Sequence, residues 1–302
     1  MAELISLPGA RPLQRVFRAI ASAMGTPRGL FRIARLAALL GPGLRDYGAT
    51  LIDGSQIYLD LREPMCFSYF LHGCIPHERS EVKVLACLAR EGDFFVDVGA
   101  NVGFYTALAR RWVGTSGMVL AFEPNPKCLA LLAKSFGGDR KVTIVPSALG
   151  SAQGTGRLHV PFQGDRATLA AIQTARCSEV EVAVTSLDDY LQQHALPCPS
   201  LVKIDCEGME FPVLQGMVNV LRAERPPIIA FEYIAEDALR FGATLDVITE
   251  YIHTTSRGVY QFFRFDPGAR LRADRLQEAT AQNDLIAVPA WRRSALADLV
   301  SA

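Results

Sequence analysis

The chain has 302 residues, half of them hydrophobic, with 31 basic and 31 acidic side chains. That is apolar material enough for one large α/β domain with an appendage, and it gives no sign of large-scale disorder. Charges that cancel supply no overall field for nucleic acid, and no apolar stretch approaches the roughly 20 residues a membrane span needs.

The N-terminal end departs from this balance, since Arg11, Arg15, Arg18, Arg28, Arg32, Arg35 and Arg45 are opposed only by Glu3. Arg11, Arg15 and Arg18 recur at helical spacing opposite Val16, Phe17 and Ile20, and Leu30, Ile33, Leu36, Ala37 and Leu40 repeat as one apolar face. Two short basic amphipathic helices are expected. Packing on the following domain or on a partner subunit is the favoured role; contact with an anionic membrane or a lipid-linked substrate is the other. The arginines interrupt any secretory apolar core, so the cytoplasm is the expected compartment. Cys66, Cys74, Cys87, Cys128, Cys177, Cys198 and Cys206 are odd in number and contain no CxxC pair, which indicates neither a disulfide framework nor a zinc site.

Gly41-Pro42-Gly43 breaks the chain, and the alternation of Leu51, Ile57, Leu59 and Leu61 around Asp53-Gly54 predicts a β-hairpin. Val82, Val84, Leu85 and Leu88 predict a helix over 78–89 that places His72, His77 and Glu78 near the mouth of any site. Core strands are expected at 94–98, 118–122, 141–145, 201–204, 228–233, 258–265 and 284–288. Helices separate most of them, including one from Pro126 to Ser135, so a seven-stranded, mostly parallel sheet with helices on both faces follows, with a late pair antiparallel at one edge. Residues 156–160 and 179–184 alternate as an inserted hairpin, with Gly164-Asp165-Arg166 as a mobile loop. Thr185 or Ser186 caps a short helix to Gln193.

The run from Phe94 to Thr106 ends a buried strand in an acidic, glycine-rich turn that opens a helix. Gly99 and Gly103 allow a tight turn and close backbone approach to a ligand, while the carboxylate of Asp97 favours an ammonium over a phosphate. A pyrophosphate would call for GxGxxG or GxxxxGK[ST], and neither occurs. S-adenosylmethionine, with a sulfonium, an amino-acid end and two free ribose hydroxyls, suits these groups. Asn101 either orients the methionine end or takes left-handed turn geometry. Glu123, at the tip of the next strand and about twenty positions on, stands where a ribose-binding carboxylate belongs.

A second cluster, Asp205, Glu207 and Glu210, follows the strand Leu201 to Ile204. Open α/β sheets bind ligands outside the carboxyl ends of their strands, so Asp205 should face the same crevice as Asp97, with Glu207 in reach. Glu210 serves the dipole of the helix it opens. A hydroxyl acceptor needs a group to take its proton; Asp205 and Glu207 are the candidates, with Glu232 and His77 in reserve. Asp205, Glu207 and Glu232 holding Mg²⁺ is a less favoured alternative, and no metal site is assigned. Tyr58, Tyr69, His72, His77, Arg166 and Tyr233 are candidate walls of an acceptor pocket.

DVGANVGFYT, AFEPNP, VPSALGS and VKIDCEGMEFPVLQG, in that order, resemble the FkbM-type S-adenosylmethionine-dependent methyltransferases over about residues 76–290. The resemblance implies a Rossmann-like class I methyltransferase fold and transfer of a methyl group to a hydroxyl of a sugar, glycolipid or polyketide-like product, leaving S-adenosylhomocysteine. It places adenine contacts at Ser147 and Ala148. The expected organisation is a basic helical and hairpin extension over 1–75 and a methyltransferase domain over 76–302, with an insert near 151–184. Two other classes stay open: an inactive cofactor-binding or scaffolding relative, and a dinucleotide oxidoreductase, disfavoured by the missing middle glycine in 99–103. A nucleic-acid partner is not expected, a homo-oligomer is left open, and the sequence does not identify the acceptor.

Overall fold

The computed structural model describes residues 9–24, 31–36, 44–161, 167–169, 177–266, 268–273, 282–297 and 299–300. The chain opens with α1 (Pro12–Met24), a helical segment over 31–36, and the antiparallel hairpin β1 (Tyr47–Thr50) and β2 (Gln56–Leu59), followed by α2 (Pro64–His72) and α3 (Arg79–Leu88). The core then alternates β3 (Phe94–Val98), α4 (Phe104–Trp112), β4 (Met118–Phe122), α5 (Pro126–Phe136) and β5 (Val142–Val145). After β6 (Ala148–Leu149), β7 (Gly154–Pro161) and β8 (Cys177–Thr185) come α6 (Leu187–Gln193), β9 (Leu201–Ile204), α7 (Glu210–Gln215) and α8 (Val218–Arg222). The last part comprises β10 (Ile228–Ile234), α9 (Ala235–Leu239), α10 (Leu245–Thr255), β11 (Tyr260–Asp266), β12 (Arg270–Arg272) and β13 (Gln282–Pro289).

Eight strands form the central sheet in the order β12-β11-β13-β10-β9-β3-β4-β5. The β10-β9-β3-β4-β5 run is parallel throughout, and β13 lies antiparallel between β10 and β11. All seven expected strands are present, and β12 is the one the sequence did not announce. Three residues that read exposed, buried, exposed, with an arginine at each end, make a short edge strand too brief to show a period. The antiparallel strand β13 is interior because Leu285 to Val288 is buried on both faces, the pattern of a central strand. The insert folds as expected: β7 and β8 pair antiparallel, and β6 joins them in a three-stranded sheet. Gly164-Asp165-Arg166 lies outside the described residues.

Local chemistry starts the helices where it was expected to. The Asn125 side chain accepts from the Lys127 amide at 3.1 Å with Pro126 in the first turn of α5, and Ser186 accepts from the Asp189 amide at 3.0 Å. Leu85, Phe95, Leu108 and Val119 belong to the core on one face of the sheet; Val96, Phe122, Leu214 and Phe231 belong to the core on the other.

The N-terminal helix packs on the fold, but through a different face from the one expected. Val16 and Ile20 are exposed, Val16 at 53%. The contact face is Leu13, Phe17 and Ala21, the i, i+4, i+8 row, with Gln14 beside it. Buried Gln14 explains the rotation: its Nε2 donates to the carbonyls of Thr50 and Phe70 at 2.9 and 2.8 Å, and its Oε1 accepts from the Thr50 amide at 3.0 Å. Phe17 stands edge-on to Phe67 and Phe70. Arg18 is not on a solvated face either, since it donates to the Leu71 carbonyl. In the second segment Ile33 and Leu36 are exposed while Ala34 is buried, so the expected apolar row is not one packed face; Leu30, Ala37 and Leu40 lie outside the described residues. Among the described residues no helix is long and apolar enough to cross a membrane.

Candidate functional site

Strand alternation builds the site. Phe95, Leu201, Ala230 and Ile286 face one core, so two residues along each strand Asp97, Lys203 with Asp205, Glu232 and Asp284 point to that same face. Asp97 and Lys203 are direct neighbours across β3 and β9, and Glu232 and Asp284 across β10 and β13. A polar continuation of an apolar sheet face thus forms at the strands' carboxyl ends. A cavity of about 490 Å³ opens there, lined by His77, Glu78, Asp97, Gly99, Asn101, Glu123, Ser147, Ala148, Asp205, Glu207 and Glu232, among others.

At the β3 tip the backbone turns through left-handed residues, Gly99 at φ +79°, Asn101 at +51° and Gly103 at +91°. A Cβ on Gly99 would lie 2.0 Å from the Asp205 carbonyl oxygen, and one on Gly103 would lie 2.6 Å from the Phe136 ring. The close approach that requires each glycine is therefore to protein; Gly99 also lines the cavity, whereas Gly103 is not among its lining residues. The Glu123 carboxylate accepts from the Asn101 amide at 2.7 Å and from the Asn125 amide at 2.6 Å, clamping the two turns together. Burial raises it to about 7 despite those bonds. Asp97 is raised to about 6 by burial, against the Thr106 hydroxyl that donates to it at 2.6 Å and the charge of Lys203. Both are buried carboxyls of raised proton affinity on the cavity wall. Tyr69 and Phe104 stack at 4.5 Å and also line the cavity.

At the β9 tip Glu207 takes φ +53° and Gly208 φ +97°, and a left-handed glutamate is a strained choice of the kind found at binding sites. Glu210 stabilises the turn, accepting from the Cys206 and Gly208 amides at 3.1 and 3.2 Å. It is raised to about 7 by burial, and the Cys206 thiol is pushed far up by burial and then by Glu210, which makes it a poor nucleophile. The insert reaches this loop: Thr168 donates its hydroxyl to the Glu207 carbonyl at 2.8 Å, and Ala167 and Leu169 line the cavity. His77 lies on a 3-10 turn, Pro76–Glu78, at the rim. Tyr58, His72 and Tyr233 are not among the lining residues, and Arg166 lies outside the described ones.

Sequence reading missed the support behind Asp205. Lys203 is fully buried, its Nζ 3.2 Å from Glu81 Oε1 and 3.5 Å from Asp205 Oδ2, and the Tyr105 hydroxyl donates to Glu81 Oε2 at 2.8 Å. Burial pulls the ammonium down, but Glu81, Asp205, Asp284 and Glu232 outweigh it and hold Lys203 well above its ordinary value. Glu81 is raised to about 7 by its burial, opposed by Lys203. A lysine inside an apolar strand always needs a partner, and that was the signal available. Among the described residues no group of three or more His, Cys, Asp or Glu could hold a metal ion, so Asp205, Glu207 and Glu232 do not assemble the magnesium site weighed above.

The family model described as the methyltransferase FkbM domain matches residues 97–262, from the acidic residue at the β3 tip into β11. A curated relative, hexuronic acid methyltransferase AglP of Haloferax volcanii, is 30% identical over 150 residues, 48% of this chain; the chain spans only 59% of that relative's length. Among solved structures, an SAM-dependent O-methyltransferase from Thermotoga maritima aligns over 70% of this chain and 64% of its own, at 14% identity and TM-score 0.36. An SAM-dependent methyltransferase from Aquifex aeolicus aligns over 69% and 88%, at 12% identity and TM-score 0.37. With the family model covering more than half its length and beginning at the carboxylate of the cofactor-type turn, the chain belongs to the FkbM methyltransferase family.

Proposed function

We propose that this protein is an S-adenosylmethionine-dependent O-methyltransferase acting on a sugar hydroxyl. The observation that carries the reading is a single cavity with different chemistry at its two ends: a glycine turn with Asp97 and Glu123 at one, and Asp205, Glu207, Glu232 and His77 at the other. The hexuronic acid named for the Haloferax relative supports a carbohydrate as the acceptor class.

On this reading Asp97 and Asn101 hold the methionine end, Glu123 the ribose, and Ser147 and Ala148 the adenine. S-adenosylmethionine supplies a methyl group on a sulfonium, which a hydroxyl displaces in line. The protein's main task is then to hold the hydroxyl in a near-attack position. Asp205 accepts its proton, since it faces the cavity while Lys203 supports it from behind. Glu207, Glu232 and His77 hydrogen-bond and orient the acceptor. Residues 76–302 make up the catalytic domain, and the preceding extension adds Pro64, Met65, Tyr69 and Ile75 to the cavity wall.

Calorimetry with S-adenosylmethionine, S-adenosylhomocysteine and NAD tests the donor side; binding of the first two without NAD is expected, and the reverse removes the reading. A methyl-transfer screen over glycans, glycolipids and hydroxylated natural products, read by product mass, tests the acceptor side. Cofactor binding without any turnover would favour a scaffolding role.

A further inference from the structure

A second face of α1 is apolar as well. Val16, Ala19, Ile20 and Ala23 follow one another at i, i+3, i+4 and i+7 and are all exposed, beside the packed row of Leu13, Phe17 and Ala21. In the segment 31–36, Ile33 and Leu36 are exposed at 59% and 60%, whereas Phe31 and Ala34 pack inward. Four of the seven large hydrophobic side chains exposed among the described residues therefore belong to these two helical stretches. Arg15, Arg32 and Arg35 are exposed among them, and no acidic residue occurs from Leu4 to Arg45.

Both stretches rest on α2. Phe17 stands edge-on to Phe67 and Phe70, and the Phe31 ring lies 5.5 Å from that of Phe67, so one side chain sets the two stretches next to each other. The same helix puts Met65 and Tyr69 into the cavity wall, so a surface that holds these stretches holds the cavity near it. Exposed valine, isoleucine and leucine interleaved with arginine suit a partner with an apolar interior and an anionic skin. A second copy of the chain is disfavoured, since an isologous contact would bring arginine against arginine. An anionic bilayer meets both needs: its head groups accept hydrogen bonds from the guanidiniums, and side chains such as Ile33 and Leu36 enter the boundary between head groups and acyl chains. Binding of such a face scales with its apolar area plus its charge attraction, so the two features act together.

We propose that α1 and the segment 31–36 form a docking face for an anionic membrane, on whose surface the protein lies. The test is flotation of the full chain with vesicles of phosphatidylcholine alone and of equimolar phosphatidylcholine and phosphatidylserine. Wild type is compared with Arg15→Gln plus Arg32→Gln and with Val16→Ser plus Ile33→Ser. These side chains are exposed, and thermal melts matching wild type confirm that the variants fold. Wild type should bind the mixed vesicles about tenfold or more tighter than the neutral ones and lose that preference in high salt. The arginine pair should weaken binding to the mixed vesicles by about fivefold for each charge removed, and the serine pair, with every arginine kept, should weaken it several-fold. Equal binding to both vesicle types by wild type overturns the proposal, as does either folded variant binding the mixed vesicles as tightly as wild type. A wild type that light scattering finds dimeric, with the serine pair monomeric, assigns the face to a second copy and overturns it too.

Discussion

The Lys203 ammonium lies 3.5 Å from a carboxylate oxygen of Asp205, buried directly behind a side chain that itself faces the cavity. The two residues share a face because they are two apart on one strand, so β9 carries both a candidate base and its counter-charge. Removing one partner of a buried ion pair strands the others, which costs about 3–5 kcal/mol. Lys203→Met should therefore lower stability by that order in denaturant melts. Lys203→Met with Glu81→Gln should lose less than the sum of the single changes, because the stranded carboxylate is removed as well. Additive losses would show that the two are not coupled.

The tip of β3 should tolerate no side chain at Gly99. Alanine there meets the Asp205 carbonyl at 2.0 Å and a φ of +79°, and strain of that kind alone costs about 1–3 kcal/mol. Gly99→Ala should lower the melting temperature and weaken cofactor binding together, since the clash moves both strand tips. An unchanged melting temperature with normal calorimetry would contradict the geometry.

Cofactor affinity should rise with pH. In the cofactor-free fold Asp97 keeps its proton to about pH 6 and Glu123 to about pH 7, both above the ordinary carboxyl range. Over that window the folded chain binds more protons than the unfolded one, so these groups make stability fall as pH rises. An ammonium and ribose hydroxyls bind the ionised carboxylates, so binding must displace those protons. Calorimetry should give S-adenosylmethionine affinity about tenfold or more weaker at about pH 5 than at about pH 7.5, with proton release on binding in the lower range. Asp97→Ala should abolish binding at every pH.

The insert should act on the acceptor and not on the cofactor. Thr168→Val deletes the hydroxyl that holds the Glu207 carbonyl, a bond of about 0.5–1.5 kcal/mol. The acceptor KM should rise several-fold while cofactor affinity stays constant. A change confined to cofactor affinity would place the insert on the wrong side of the cavity.

That Asp97, Gly99, Asn101, Glu123, Ser147 and Ala148 line one cavity was readable in the sequence because they sit at strand tips in contiguous motifs. The sheet was readable because its strands are apolar runs bounded by turns. Lys203, Glu81 and Tyr105 were not, because their relation is made by packing α3 and α4 against β9, which no local spacing encodes. Gln14 defeated the amphipathic reading of α1 for a similar reason: a polar side chain that satisfies two backbone carbonyls can occupy the packed face, and a hydropathy pattern counts it as solvent-facing. Thr168 reaches the Glu207 loop through an insert whose position depends on the whole fold, whereas Glu78, expected near the mouth, does line the cavity.

Asp205 is proposed to take the acceptor's proton. Asp205→Asn keeps the shape of the side chain and removes its basicity, and losing a general base typically lowers the rate about 10²–10⁴-fold. Calorimetry should find S-adenosylmethionine affinity within about twofold of wild type while kcat for methyl transfer falls by that range. An Asp205→Asn protein that transfers methyl at the wild-type rate would contradict that role.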